Sequence, residues 1–169
     1  MPKRNILLTA LFTLFVFAAV SYTACKTDPC DDVICMNLGA CDNGTCICPV
    51  GFEGVHCEIL SREKFIKTFN GIDSCTSYWD TTTYYGYPII FRAMLDDPIE
   101  MTMHNILDDM DDSAVCTMVG IDTFVFQGSN NSLTYIGTGK ISNDSLWLNY
   151  HVERDTSSYD CRYFGQGLR

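Results

Sequence analysis

Apolar residues follow three regimes along this chain: one unbroken run, one stretch punctuated by cysteines, and a long tract that alternates with a period of two. The run extends from Ile6 to Val20, fifteen residues interrupted only by Thr9 and Thr13. It is shorter than the roughly 20 residues needed to cross a hydrocarbon core. In the long tract, Ile99, Met101 and Met103 alternate with Glu100, Thr102 and His104, and Leu146, Leu148, Tyr150 and Val152 alternate with Ser145, Trp147, Asn149 and His151. Period two puts successive side chains on opposite faces of a strand. Further strands are expected at 89–95, 114–120, 122–127 and 133–141, with 65–76 and 158–164 as flanking candidates. Turn-forming residues separate them at Asp96-Asp97-Pro98, Asp108–Asp112, 128–131 and Ser142-Asn143-Asp144. No stretch sustains a helical period. About eight short strands joined by tight turns predict a mainly β chain whose C-terminal part, 62–169, is an antiparallel meander, closed as a small barrel or folded as a sandwich.

The N-terminal run carries Lys3 and Arg4 before it and small residues after it, the pattern of a signal peptide over 1–24. The segment Ser21-Tyr22-Thr23-Ala24-Cys25 resembles a bacterial lipobox, with Ala24 fitting the position before the cysteine and Tyr22 standing where leucine is usual. That resemblance implies that Cys25 is diacylated and becomes the new N-terminus, with 25–29 as a short linker. Lipid chains would anchor the protein, each buried methylene contributing about 0.8 kcal/mol. Ordinary cleavage after Ser21 or Ala24 would instead leave Cys25 as a disulfide partner. Either way the mature chain loses Lys3 and Arg4, leaving 9 basic against 21 acidic side chains, a net charge of −12. Such an acidic surface repels phosphate and excludes a nucleic-acid partner. A hydrophobic content of 47% excludes a disordered chain.

Ten cysteines in 169 residues point to an oxidising compartment. Six of them fall between Cys30 and Cys57 with gaps of four, five, four, one and eight residues. So short a segment needs covalent staples in place of a core. The single-residue gap Cys46-Ile47-Cys48 does not suit paired zinc-ligand units. Spacing alone leaves fifteen connectivities open. With Gly39, Cys46-x-Cys48-Pro49, Gly51, Phe52, Gly54 and Cys57, the stretch 30–58 resembles an EGF-like domain. The resemblance implies the pairs Cys30–Cys41, Cys35–Cys46 and Cys48–Cys57. It carries over neither of two sharper activities of that family. Only Thr27-Asp28-Pro29 precedes the first cysteine, too few oxygens for calcium, and His56 stands where receptor-activating members have Arg. Asp42-Asn43-Gly44-Thr45 predicts a tight hairpin turn.

Three cysteines remain in the β-rich part. The order of modules, with Cys75 in the first strand, Gly137-Thr138-Gly139 and Cys161 in the last, resembles lipocalin-like domains that follow an EGF-like module in exported lipoproteins of Bacteroidetes-type bacteria. That resemblance suggests a Cys75–Cys161 bridge between first and last strands and leaves Cys116 as a buried free thiol.

Candidate chemistry is sparse. Asp96, Asp97, Glu100, Asp108, Asp109, Asp111 and Asp112 cluster without the spacing of a calcium loop and read as solvated turn residues. His104 and His151 lie on polar strand faces and would form a metal site only if they met across a sheet. Gly137-Thr138-Gly139 precedes Lys140 but sits in a strand pattern, where glycines mark a bulge or a close backbone approach rather than a phosphate loop. Tyr78-Trp79 and Tyr84-Tyr85-Gly86-Tyr87 surround a threonine-rich segment, and read as rim packing or as a recognition surface for a protein or glycan. Asp80-Thr81, Asp112-Ser113 and Asp144-Ser145 resemble a Bacteroidetes O-glycosylation pattern. No nucleophile motif and no cofactor motif is present. These readings converge on a non-enzymatic, cofactor-free exported lipoprotein, anchored by lipid at Cys25, at the outer membrane or cell surface, whose EGF-like spacer presents a β-domain for binding or adhesion. Two alternatives stay open. One is a secreted eukaryotic EGF-containing ligand or adhesion protein, with Asn43, Asn130 and Asn143 as glycan acceptors; the other is a lipocalin-like carrier of a small apolar ligand.

Overall fold

The computed structural model of the chain describes residues 12–16, 28–77, 81–83, 86–130, 133–155 and 157–168, and it is mainly β. Residues 12–16 are helical, and no described helix is long and apolar enough to cross a membrane. The cysteine-rich segment holds two small hairpins, β1 (Ala40–Asp42) with β2 (Thr45–Ile47) and β3 (Phe52–Glu53) with β4 (Ile59–Leu60). Asn43 and Gly44 both take positive φ in the turn between β1 and β2, as the Asn-Gly pair requires. Disulfides join Cys30 to Cys41, Cys35 to Cys46 and Cys48 to Cys57.

The remaining strands are β5 (Thr68–Thr76), β6 (Thr81–Thr83), β7 (Tyr87–Ala93), β8 (Glu100–His104), β9 (Ser113–Met118), β10 (Thr123–Asn130), β11 (Leu133–Ser142), β12 (Ser145–Arg154) and β13 (Ser157–Gly167). Consecutive strands pair antiparallel from β7 to β13, and β5 pairs with both β7 and β13. The result is a closed eight-strand up-and-down barrel, with β6 extending the β5 ladder by a one-residue step in register beside β7. Closure settles the choice between barrel and sandwich: β13 is long enough to cover β5 from Phe69 to Thr76, so no sheet edge remains there. The Cys75–Cys161 disulfide joins directly opposed residues of that closing pair.

The interior is filled by side chains from the alternating positions. Phe65, Phe69, Phe91 and Phe124 make a continuous ring cluster, with edge-on contacts such as Phe65–Phe124 at 5.1 Å and Phe91–Phe124 at 5.5 Å. Three inward rings face a glycine directly across the β10–β11 ladder: Phe124 opposite Gly139, Phe126 opposite Gly137 and Tyr135 opposite Gly128. Each ring lies where a β-carbon on its partner would project; at Gly137 and Gly139 this is the close approach expected of strand glycines, made by a ring. Two expectations need correction. Gly128–Asn130 is strand rather than turn, because the β10–β11 ladder continues to the pair Asn130–Leu133. Phe65–Lys67 is not strand; Phe65 follows a 3-10 turn, Ser61–Lys64, and plugs the barrel end.

That turn also joins the cysteine-rich segment to the barrel. The Ser61 amide donates to the Gly51 carbonyl at 2.9 Å, and Lys64 Nζ lies 2.9 Å from Glu53 and 3.4 Å from Asp122. Buried Arg62 directs Nη1 at the carbonyls of Met94, Asp97 and Glu100, closing the β7–β8 connection.

Candidate functional site

Strand β5 turns Phe69, Gly71, Asp73 and Cys75 inward, so a carboxylate enters an apolar interior on the same phase as a core phenylalanine. Asp73 is 0% exposed. Its Oδ2 accepts hydrogen bonds from the Tyr87 hydroxyl at 2.8 Å and from the Tyr150 hydroxyl, while Oδ1 has no partner among the described residues. Tyr163 packs on Tyr87 with ring centroids 5.4 Å apart and donates to the carbonyls of Phe69 and Tyr87. Desolvation raises the Asp73 carboxyl above its ordinary range, outweighing the hydroxyl donors that favour the anion. Burial likewise raises the phenols of Tyr87 and Tyr150, so both remain protonated donors.

Beside this cluster lies the Cys75–Cys161 disulfide, with Cys75 Sγ 4.0 Å from Asp73 Oδ2. The disulfide also lines a cavity of about 280 Å³ at the barrel mouth. Ile106, Leu107, Leu133, Val152 and Tyr159 supply its apolar walls, and Asp109, Asp112 and Arg154 its charges. The connection from β8 to β9 shapes one side through left-handed residues at Asn105, Leu107 and Asp108. The site therefore offers a small amphipathic hollow above a filled core.

Several residues singled out from the sequence behave differently here. Asp112 is buried, not solvated: it accepts the Tyr135 hydroxyl at 2.7 Å. Asp109 accepts Asn130 Nδ2 at 2.7 Å, while Asp96, Asp108 and Asp111 stay exposed. Among the described residues the acids of 96–112 do not converge as a metal-ligand group; the one such group is Asp73, Cys75 and Cys161, whose two sulfurs are bonded to each other. His104 and His151 do not meet, because β8 and β12 are not neighbours; they contact Thr102 and Asp160 instead. Tyr87 is core rather than rim, whereas Tyr78, Trp79, Tyr84 and Tyr85 lie outside the described residues, as does Cys25. Cys116 is free and buried, its thiol pushed up by burial. Sequence reasoning missed Asp73 altogether. Its signal was positional: a charged residue two places from both Gly71 and Cys75 on the inward phase.

Comparison with family models, with curated proteins and with solved structures returned no match to this chain.

Proposed function

We propose that this is a non-enzymatic exported lipoprotein in which lipid at Cys25 holds the chain at a membrane, an EGF-like segment spaces it from the surface, and a lipocalin-like barrel binds a partner. The observation that carries this reading is the way the stapled segment is seated on the barrel. Ile99 packs where a Gly51 side chain would project, and Lys64 bridges Glu53 and Asp122. A rigid spacer suits presentation rather than regulation. Asp73 and Cys116, two barrel groups with latent reactivity, are both enclosed. A second reading, a carrier of a small apolar ligand, draws support from the 280 Å³ mouth hollow alone, because aromatic rings occupy the interior beneath it.

Expression in a Gram-negative host followed by intact-mass analysis tests the anchor. The expected product begins at Cys25, carries a diacylglycerol thioether and partitions into detergent, and Cys25→Ala moves the protein to the aqueous phase. An unmodified terminus at Tyr22, or Cys25 found in a disulfide, would overturn the lipoprotein reading.

A further inference from the structure

The β3–β4 hairpin has its base on the barrel, where the Ser61 amide bonds to the Gly51 carbonyl and Ile99 packs on Gly51. Its tip, 54–58, is therefore the end of the stapled segment turned away from the barrel. The His56 carbonyl at that tip accepts the Met36 amide at 2.7 Å, and the Cys57 carbonyl accepts Asn37 Nδ2 at 2.8 Å. These bonds fasten the loop 34–38 to the same end. Four apolar side chains stand out there: Ile34, Met36, Leu38 and Val55 are 77%, 51%, 98% and 76% exposed. The Gly39 amide donates to the Met36 carbonyl at 2.9 Å, closing a tight turn with Asn37 and Leu38 at φ of 50° and 65°. Glycine adopts that left-handed conformation freely and a leucine does not. The backbone is thus strained while the Leu38 side chain finds no offsetting contact among the described residues.

Chain length says what covers this tip. Five residues of chain lead from Cys25 to Cys30 and span at most about 18 Å. Cys30 is bonded to Cys41 with α-carbons 5.9 Å apart, and Leu38 precedes Cys41 by three residues, so Leu38 lies within about 17 Å of Cys30. Acyl chains on Cys25 therefore hold a bilayer within reach of the apolar tip. Insertion of the tip becomes an intramolecular step, for which a few apolar side chains suffice. Charge selects the lipid. The segment 30–58 has no lysine or arginine. Exposed Asp31 and Asp32 precede Ile34, and exposed Glu58 accepts the His56 amide at the hairpin tip. These carboxylates repel an anionic surface and complement the ammonium groups of zwitterionic headgroups.

We propose that the loop 34–38 and the tip of the β3–β4 hairpin rest on a zwitterionic lipid surface, with Ile34, Met36, Leu38 and Val55 inserted among the headgroups. The stapled segment then stands on the membrane beneath the barrel. This deepens the lipid-anchored reading of the chain and rests on it. The test reconstitutes the mature lipidated chain bearing Leu38→Trp into vesicles of phosphatidylethanolamine and phosphatidylcholine with brominated acyl chains, the unsubstituted chain giving the baseline. Emission of the added tryptophan should be blue-shifted and quenched by the bromines. The soluble chain bearing Cys25→Ala should float in part with the same lipids at millimolar concentration, and less with phosphatidylglycerol. Leu38→Gly in that soluble chain should weaken flotation about tenfold or more, since an inserted leucine is lost, with no loss of Tm because glycine suits the turn. An added tryptophan open to acrylamide and untouched by bromine, no flotation of the Cys25→Ala chain, or undiminished flotation with Leu38→Gly overturns the proposal. A blue shift that needs no lipid and grows with protein concentration assigns the tip to a second copy and overturns it too. A diacylated Cys25 with an acrylamide-exposed tryptophan refutes this inference alone, and flotation of a chain shown to lack lipid refutes the anchor alone.

Discussion

Asp73 sits at full burial among Tyr87, Tyr150 and Tyr163, with one carboxylate oxygen bonded and the other orphaned. Its carboxyl is raised in the folded state, so the stability it contributes is complete below about pH 4, the ordinary range of an aspartate, and is lost as pH rises through the folded pKa. Asp73→Asn removes that dependence: its Tm relative to the wild type should climb as pH rises above about 4 and level off once the carboxyl of the wild type has ionised. A constant difference over that range would show that the carboxyl is not raised. Gly139 makes a different demand, for volume rather than charge. A β-carbon there would overlap the Phe124 ring, which is walled in by Phe65 and Phe91. Gly139→Ala should cost about 1–3 kcal/mol in urea unfolding, the usual penalty of overpacking.

Among the elements, the 3-10 turn Ser61–Lys64 does more than link two modules. Arg62 Nη1 serves three carbonyls of the β7–β8 connection, which has few backbone bonds of its own beyond Met94 N to Glu100 O and Glu100 N to Asp97 O. Arg62→Met keeps the buried stem and removes the donors, so a loss of about 2–3 kcal/mol is expected, with faster hydrogen exchange at the Glu100 amide than elsewhere in β8. Unchanged exchange there would mean that the connection holds itself. The hairpin turns, by contrast, were legible from residue type: Asn143 and Asp144 take φ of 49° and 61° between Ser142 and Ser145, as a two-residue turn between twisted strands requires.

Across the whole molecule, closure of the barrel rests on β5 meeting β13, and Cys75–Cys161 spans 86 residues of sequence there. Cys75→Ser with Cys161→Ser should lower stability by about 2–4 kcal/mol, since the bridge restricts the unfolded chain. The ladder from Phe69 to Thr76 should still hold the barrel closed, giving an unchanged far-UV spectrum at a lower Tm. A collapse of that spectrum at 25 °C would show that closure depends on the bond rather than on the ladder.

Strand positions, their inward faces, the tight turns and the need for staples in 30–57 follow from local pattern, because side-chain alternation and positive φ are properties of neighbouring residues. Leu146, Leu148, Tyr150 and Val152 point inward as their alternation requires. The sequence determined that much by itself. Tertiary structure alone decided that His104 and His151 stay apart and that Asp73 lies between Tyr87 and Tyr150, separated from it by 14 and 77 positions. Those are distances through space between residues remote in sequence, set by the closure of one sheet on itself, and no local pattern records them.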